Sequence, residues 1–397
     1  VDEVTYLAFG EDGQQVVSAS QNAVCIWEAS TGKEIRRLKV EDHCTVGISR
    51  DLSRMAIGRP FYFGPLAGPM NGMLTLQLTA SGKESWSVNP HGNFNRDVPF
   101  PPVIAALAFS PDGTLLVTAG GAVKVRGEWP RGIVKTWDTE TGKELKTLGE
   151  LSSRADSLAF SSDGKYLAAG TVGTSGESPE SAEVHVWETA TGQQLCVMKT
   201  RQSVEQGGNP GSIMQLSFHP NGRLLAAAVS DGTVRLWEMP SGRELLEIRG
   251  HQGLTGNRET DRFTGLILDR LSAVRAVTFS PDGRRLASAG YDQYVRIWNS
   301  ETGEQTSTVR YDSPRINAVA ISPDGQSIAA AGVNATNSSE VAIWKWNDKP
   351  SSLGEPVTPT IRKDERARHE KEVRSQIETA LKSDDPKRVT LNEERIK

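Results

Sequence analysis

Three cysteines in 397 residues, Cys25, Cys44 and Cys196, are too few and too scattered for a disulfide framework, and their odd number leaves at least one free thiol. Cys25 falls in a strand-like apolar stretch and reads as a small buried hydrophobe rather than a redox centre. No apolar run is long enough to span a bilayer, so membrane insertion is not expected. Basic charge is not in excess either: 45 Lys and Arg face 49 Asp and Glu, for a net charge of -4, and the pI is near 6.0. That balance argues against a specific nucleic-acid or anionic-membrane partner. His43, His91, His185, His219, His251 and His369 are dispersed without metal-ligand spacing, and His185 is expected on the surface. A Gly-x-Ser-x-Gly elbow and a phosphate-binding glycine loop are both missing. Neither catalytic residues nor metal ligands nor a cofactor are therefore expected.

What the chain has is one phrase repeated seven times. An apolar stretch ending in Phe or Ile leads into a Pro-Asp-Gly-type turn, then a small-residue strand, then an aliphatic strand closing on Trp. The turns read Gly10-Glu11-Asp12-Gly13, Ser110-Pro111-Asp112-Gly113, Ser161-Ser162-Asp163-Gly164, His219-Pro220-Asn221-Gly222, Ser280-Pro281-Asp282-Gly283 and Ser322-Pro323-Asp324-Gly325, with Ser49-Arg50-Asp51-Leu52 as a worn copy. Six copies close on Trp27, Trp137, Trp187, Trp237, Trp298 and Trp344. One such unit cannot bury its own apolar face, so repetition at this spacing means units stacked side by side. At 397 residues and 37% apolar content, a ring of seven units is one object rather than two domains.

Each unit supplies four strands. The first is apolar at nearly every position, as in Ile213 to Phe218, which suits an innermost strand covered on both faces. The second is small, as in Leu286 to Gly290. In the third, Val234-Arg235-Leu236-Trp237 and Val295-Arg296-Ile297-Trp298 alternate, and the Arg is expected to point outward. A Ser/Thr-Gly turn, for example Thr302-Gly303, then leads to an exposed fourth strand.

These residues resemble the WD40 family of β-propellers over about Val4 to Trp346. The resemblance implies an all-β, seven-bladed β-propeller of four-stranded antiparallel blades, with units at about 4–40, 45–88, 104–148, 155–198, 213–248, 274–309 and 316–347. Two departures from the family stand out. Asp seldom follows the Trp, and only Gly250-His251 keeps the Gly-His dipeptide, with some two dozen residues between it and the strand near Val274. The family's buried His-to-Asp network is accordingly not expected.

In an antiparallel blade the first-to-second and third-to-fourth turns share one face of the disc. The second-to-third turns and the blade links share the other, and all long insertions are of this kind: Arg59 to Gly72, Asn89 to Val103, Gly121 to Gly132, Thr171 to Ala182, Lys199 to Ser212, Arg249 to Ala273 and Val333 to Ser339. Long loops gathered on one face of a scaffold are where function sits. Within them Arg59, Phe61, Tyr62 and Phe63, then Phe94, Arg96 and Phe100, then Arg126, Trp129 and Arg131 mix aromatics with Arg, the composition of interface hot spots. Glu177 and Glu180 put opposite charge on the neighbouring sector. A non-catalytic protein-interaction scaffold follows, with one or more proteins as partners.

Two other readings stand beside it. Leu78 to Trp86 is similar to the tryptophan-docking repeat of quinoprotein dehydrogenases, which implies a pyrroloquinoline quinone oxidoreductase, although the matching positions elsewhere hold Arg37, Lys146, Cys196 or Leu246. The start at Val1 and the charged tail are compatible with a structural module of a larger multidomain protein. The first residue also leaves an exported mature chain open beside a cytoplasmic one. Beyond the ring, 348–397 reads as a tail: a segment at 353–361 that could complete blade seven, and a charged helix at 361–382 in which Val373, Ile377, Ala380 and Leu381 fall at helical spacing.

Overall fold

The computed structural model describes residues 3–20, 22–40, 44–59, 73–90, 103–121, 132–173, 181–200, 211–251, 273–311, 315–333 and 339–345. They form 27 strands and, among the described residues, no helix. Blade one holds β1 (Val4–Phe9), β2 (Gln15–Ser20), β3 (Ala23–Glu28) and β4 (Glu34–Lys39); blade two holds β5 (Thr45–Ile48), β6 (Arg54–Gly58), β7 (Leu74–Leu78) and β8 (Glu84–Val88). Blade three has β9 (Val103–Phe109), β10 (Leu115–Gly121), β11 (Gly132–Asp138) and β12 (Glu144–Leu151); blade four has β13 (Ala155–Phe160), β14 (Tyr166–Thr171), β15 (Glu183–Glu188) and β16 (Gln194–Lys199). In blade five come β17 (Ile213–Phe218), β18 (Leu224–Val229), β19 (Thr233–Glu238) and β20 (Arg243–Arg249), and in blade six β21 (Val274–Phe279), β22 (Arg285–Gly290), β23 (Tyr294–Asn299) and β24 (Gln305–Arg310). Blade seven comprises β25 (Arg315–Ile321), β26 (Ser327–Val333) and β27 (Ser339–Lys345) among the described residues. Every sheet is an antiparallel meander in sequence order, so the molecule is the seven-bladed propeller that the repeat implies. The expected closing strand at 353–361 and helix at 361–382 lie outside the described residues.

Seven apolar clusters sit at the seven blade boundaries, each drawn from two adjacent blades. Leu74 and Leu76 of blade two meet Leu116 and Trp137 of blade three, and Val295 and Ile297 of blade six meet Ile328 and Trp344 of blade seven. Ala329 and Ile343 of blade seven pack with Val16 and Trp27 of blade one, which closes the ring. Each closing Trp thus inserts toward the preceding blade. Blade two, without that Trp, fills its boundary with Ile48, Met55 and Ile57 against Val17 and Ile26. Residues such as Leu225, Leu286 and Ile328 are fully buried, and each such side chain is worth roughly 1.5–3 kcal/mol of transfer free energy.

The repeated turn is built by its serine. Ser280 Oγ donates to Asp282 Oδ1 at 2.6 Å and accepts the Arg285 N–H at 3.0 Å, while Asp282 accepts the Arg284 N–H at 3.0 Å. Glycine follows because φ there is positive, +74° at Gly283. Blade two bends the same way with Leu52 at φ +59°, and the Leu52 side chain packs so tightly on Gly10 that a Cβ there would lie 2.9 Å from its Cδ1. That contact offsets the cost of about 1 kcal/mol for a left-handed non-glycine residue.

On the outer rim, five of the six described fourth strands, β4, β8, β12, β16 and β20, roof the Ser/Thr-Gly turn of the next blade. Leu38 covers Gly82, Leu148 and Lys146 cover Gly192, Cys196 and Met198 cover Gly242, and Leu246 and Ile248 cover Gly303. Trp86 does the same on Gly142 and donates its Nε1–H to Thr139 O at 2.8 Å. Its tryptophan therefore fills a position that aliphatic side chains fill in the other blades.

Two expectations for the third strand fail. His185 is buried, and so is Arg235, at only 2% exposure. A stacked blade has no solvent face at its third strand, so polar alternation there marks which neighbour a residue faces, not inside against outside. Arg235 meets Asp231, Glu247 and Glu244 at 3.5, 3.3 and 3.6 Å. His185 meets Glu183 at 3.0 Å. Burial pushes the Glu183 carboxyl up, but hydrogen bonds from Lys199, Ser152 and His185 outweigh it and hold the group below its ordinary value.

Candidate interaction surface

The antiparallel order places the described ends of every long insertion on one face of the disc. Of the residues expected to form its contact surface, Arg59 is described: it is half-buried at the root of its loop, where its N–H donates to Met73 O at 2.8 Å. Phe61, Tyr62, Phe63, Phe94, Arg96, Phe100, Arg126, Trp129 and Arg131 lie outside the described residues.

Sequence reading missed a device at the centre of this face. In six of the seven innermost strands the ladder skips the same residue near the insertion-side end: Thr5, Ala105, Asp156, Met214, Arg275 and Asn317. Such a bulge leaves one residue out of the pairing and re-aims its side chain. These positions lie at the insertion-side ends of the innermost strands, the strands that line the central channel, and Arg275 of blade six reaches its counterpart Met214 of blade five, Nη1 to Sδ 3.8 Å. Nothing in the residue types marks these positions, so the sequence carries no signal for them.

Charge around the mouth is unevenly compensated. Arg154 is clamped by Asp156 through two contacts of 2.6 Å; burial would lower the guanidinium pKa, yet the paired carboxylate raises it overall. Arg315 approaches Glu3 at 3.9 Å. Its guanidinium and that of Arg275 lie 5.9 and 5.5 Å from the centre of the same ring, Tyr291. Asn317 is 7% exposed, and both its amide N and its amide O lack a hydrogen-bond partner.

The His-to-Asp network that was not expected is present in blade six. His251 Nδ1 bonds Asp292 Oδ1 at 3.0 Å, His251 Nε2 bonds Ser288 Oγ at 2.7 Å, and Ser288 Oγ accepts the Trp298 Nε1–H at 2.7 Å. Arg296 adds a contact to Asp292 at 2.8 Å. Burial pushes the Asp292 carboxyl up, but His251 and Arg296 outweigh it and hold the group low. The insertion between His251 and β21 leaves the histidine in place. A family model described as WD domain, G-beta repeat matches residues 200–238 and 269–299, the sequence of blades five and six. The chain is a propeller of WD40 repeats.

Parts of the chain are similar to curated proteins. The chain is 26% identical over 190 residues to the Periodic tryptophan protein 2 homolog of Schizosaccharomyces pombe, covering 48% of this chain and 20% of that protein. It is 27% identical over 282 residues to the Periodic tryptophan protein 2 homolog of Mus musculus, covering 60% and 25%. It is 25% identical over 151 residues to Cell division cycle 20.1, cofactor of APC complex, of Arabidopsis thaliana, covering 32% of each. The matched parts are a third or less of each relative's own length.

The WD40 ring also has grooves on the opposite, tight-turn face. One of about 630 Å³ is lined by Arg50, Asp51, Arg54, Asp112, Asp138 and Glu140 among others. Its cations are engaged, since Arg50 pairs with Glu11 at 3.2 Å and Arg54 donates to Thr139 Oγ1 at 2.9 Å. A second, of about 400 Å³, runs past Lys146, Asp163, Lys165 and Glu188. Among the described residues no group of three or more His, Cys, Asp or Glu is placed to hold a metal ion.

Proposed function

We propose that this WD40 ring is a non-catalytic scaffold whose insertion face, in the sector of blades two and three, binds a protein partner. The observation that carries the reading is geometric: the long connections leave from one face of a ring whose boundaries are each closed by an apolar cluster. A closed frame of this kind adds no ordering cost of its own when a partner binds. Phe61, Tyr62, Phe63, Phe94, Phe100 and Trp129 supply apolar anchor area, and Arg59, Arg96, Arg126 and Arg131 supply directional donors. The Arabidopsis relative is named as a cofactor of a complex, which supports assembly with other proteins as a use of this fold.

The test replaces Phe61, Tyr62, Phe63 and Trp129 by Ala and compares affinity capture from the native host, while monitoring the melting transition. The reading expects loss of the captured protein with melting nearly unchanged. Retained capture refutes it. So does a large fall in melting temperature, which would mean that these aromatics pin their own loops to the disc.

A further inference from the structure

We propose that the insertion-side mouth of the channel, between blades six and seven, is a binding site for an acidic residue of a polypeptide, whose carboxylate seats between Arg275 and Arg315 and whose backbone meets Asn317. The site shares the scaffold reading's face and its protein partner, but not the aromatic loops of blades two and three.

Three observations converge there. Arg275 is half-buried, yet its contacts are the Met214 thioether and the Tyr291 ring; among the described residues it has no carboxylate within ion-pair distance. Arg154, Arg235 and Arg296, by contrast, are paired with carboxylates: Arg154 with Asp156, Arg235 with three and Arg296 with Asp292. A desolvated guanidinium without an anion is costly, and an incoming carboxylate removes that cost.

Asn317 occupies the equivalent bulge of the next innermost strand, and its amide is buried with neither end satisfied. Polar side chains elsewhere on the inner edges reach the neighbouring backbone. Gln215 Oε1 accepts the Val277 N–H at 2.9 Å, and Thr45 Oγ1 donates to Ile104 O at 2.9 Å. Asn317 departs from that habit. A buried orphan of this kind costs about 1–3 kcal/mol per group, so its presence on a re-aimed residue points to a ligand that completes it.

The amide also selects the ligand. Its Nδ2 can donate to a carboxylate or a carbonyl, but its Oδ1 needs a donor. A bare anion satisfies the first and leaves the second unpaired. A peptide unit carries N–H and C=O together, so an acidic residue within a chain satisfies both ends while its carboxylate meets the cations. Both guanidinia lie against the one Tyr291 ring, at 5.5 and 5.9 Å from its centre, which keeps the two cations on a common patch.

The test uses the full chain, isotope-labelled, and follows the Asn317 side-chain amide signals during titration with acetyl-Ala-Glu-Ala-amide, acetyl-Ala-Gln-Ala-amide and sodium sulfate. The Glu peptide is expected to give a saturable shift. The Gln peptide should bind about tenfold or more weakly, as a charge-assisted pair is lost, and Arg275→Gln should weaken the Glu peptide similarly. Asn317→Asp, close in size, should abolish binding by placing a like charge at the seat. Equal shifts with Glu and Gln peptides, or no effect of Arg275→Gln in a chain whose remaining spectrum is unchanged, overturns the assignment. Saturation by sulfate that displaces the Glu peptide overturns the polypeptide claim in favour of a free-anion site. The Phe61, Tyr62, Phe63 and Trp129 to Ala variant should keep the titration even if it loses its captured partner; losing the titration would show that the loops, not this mouth, form the site.

Discussion

The sharpest stability prediction comes from one indole. Trp187 is completely buried and its Nε1–H has no acceptor, whereas Trp27, Trp137 and Trp298 donate to Ser18, Thr118 and Ser288 at 2.8, 3.0 and 2.7 Å. Strand register explains the difference. The hydroxyl residue stands two places beyond the residue paired with the Trp, as Ser288 stands to Leu286, and in blade four that place holds Ala169. Ala169 lies directly opposite His185, whose Nδ1 is likewise buried without a partner. In Ala169→Ser the new hydroxyl can accept from Trp187 and donate to His185 Nδ1, relieving two orphans. Each costs about 1–3 kcal/mol, while burying the hydroxyl itself costs about 1–3 kcal/mol, so the net gain is roughly 1 kcal/mol or somewhat more. In a ring of this size that is about 1–2 °C in melting temperature, and denaturant midpoints measure it more securely. The control is Ala287→Ser, a fully buried position among apolar residues, where the same hydroxyl has no such partner and should cost about 1–2 kcal/mol. Equal destabilisation by both substitutions would refute the reasoning, because it would mean that the two orphans of blade four are not accessible to a hydroxyl at Ala169.

Gly142→Ala combines a positive φ of +69° with a Cβ placed 2.7 Å from the Trp86 ring; we expect a loss of about 2 kcal/mol or more and a shift in tryptophan emission, and unchanged stability would show that the indole is not seated on that turn. The turn carboxylates Asp112, Asp163, Asp282 and Asp324 are held low chiefly by their Ser hydroxyls, with N–H groups adding to the effect; in Asp51 burial opposes the same hydrogen bonds and is outweighed. Because their folded pKa lies below the unfolded value of about 3.9, their stabilisation is complete above about pH 5 and is lost as pH falls through and below about 4. Asp282→Asn should therefore flatten unfolding stability against pH between about 5 and 3, with blade five as the natural precedent since its turn carries Asn221; an unchanged slope would refute the assignment.

Much of the architecture is legible in the chain because the features that specify it are local or repeated. The Ser-x-Asp-Gly turns act within a few residues, and the small second strands and the closing Trp recur in nearly every unit, so that repetition itself announces them. Three features were not legible, for different physical reasons. His251 bonds Ser288 and Asp292, 37 and 41 residues further on, so the intervening insertion hides its partners. Arg235 and His185 look like outward residues because strand alternation separates two faces without saying that both are covered. The bulges at Arg275 and Asn317 change the direction of single side chains through pairing geometry, to which residue type gives no clue. For the loops of blades two and three, composition speaks of binding, and the fold adds the face from which they depart.

The roofing of five rim turns, those of blades two to six, by the fourth strand of the blade before gives the ring a direction, like overlapping tiles laid one way round. A copy can be added or removed without disturbing the overlap only if the excised length starts and stops at matching points of two neighbours. A cut elsewhere strips the cover from one turn and leaves another strand with nothing beneath it. Growth and shrinkage of such a circle thus proceed by whole repeats, and recombination that changes blade number is constrained in phase by the shingled rim.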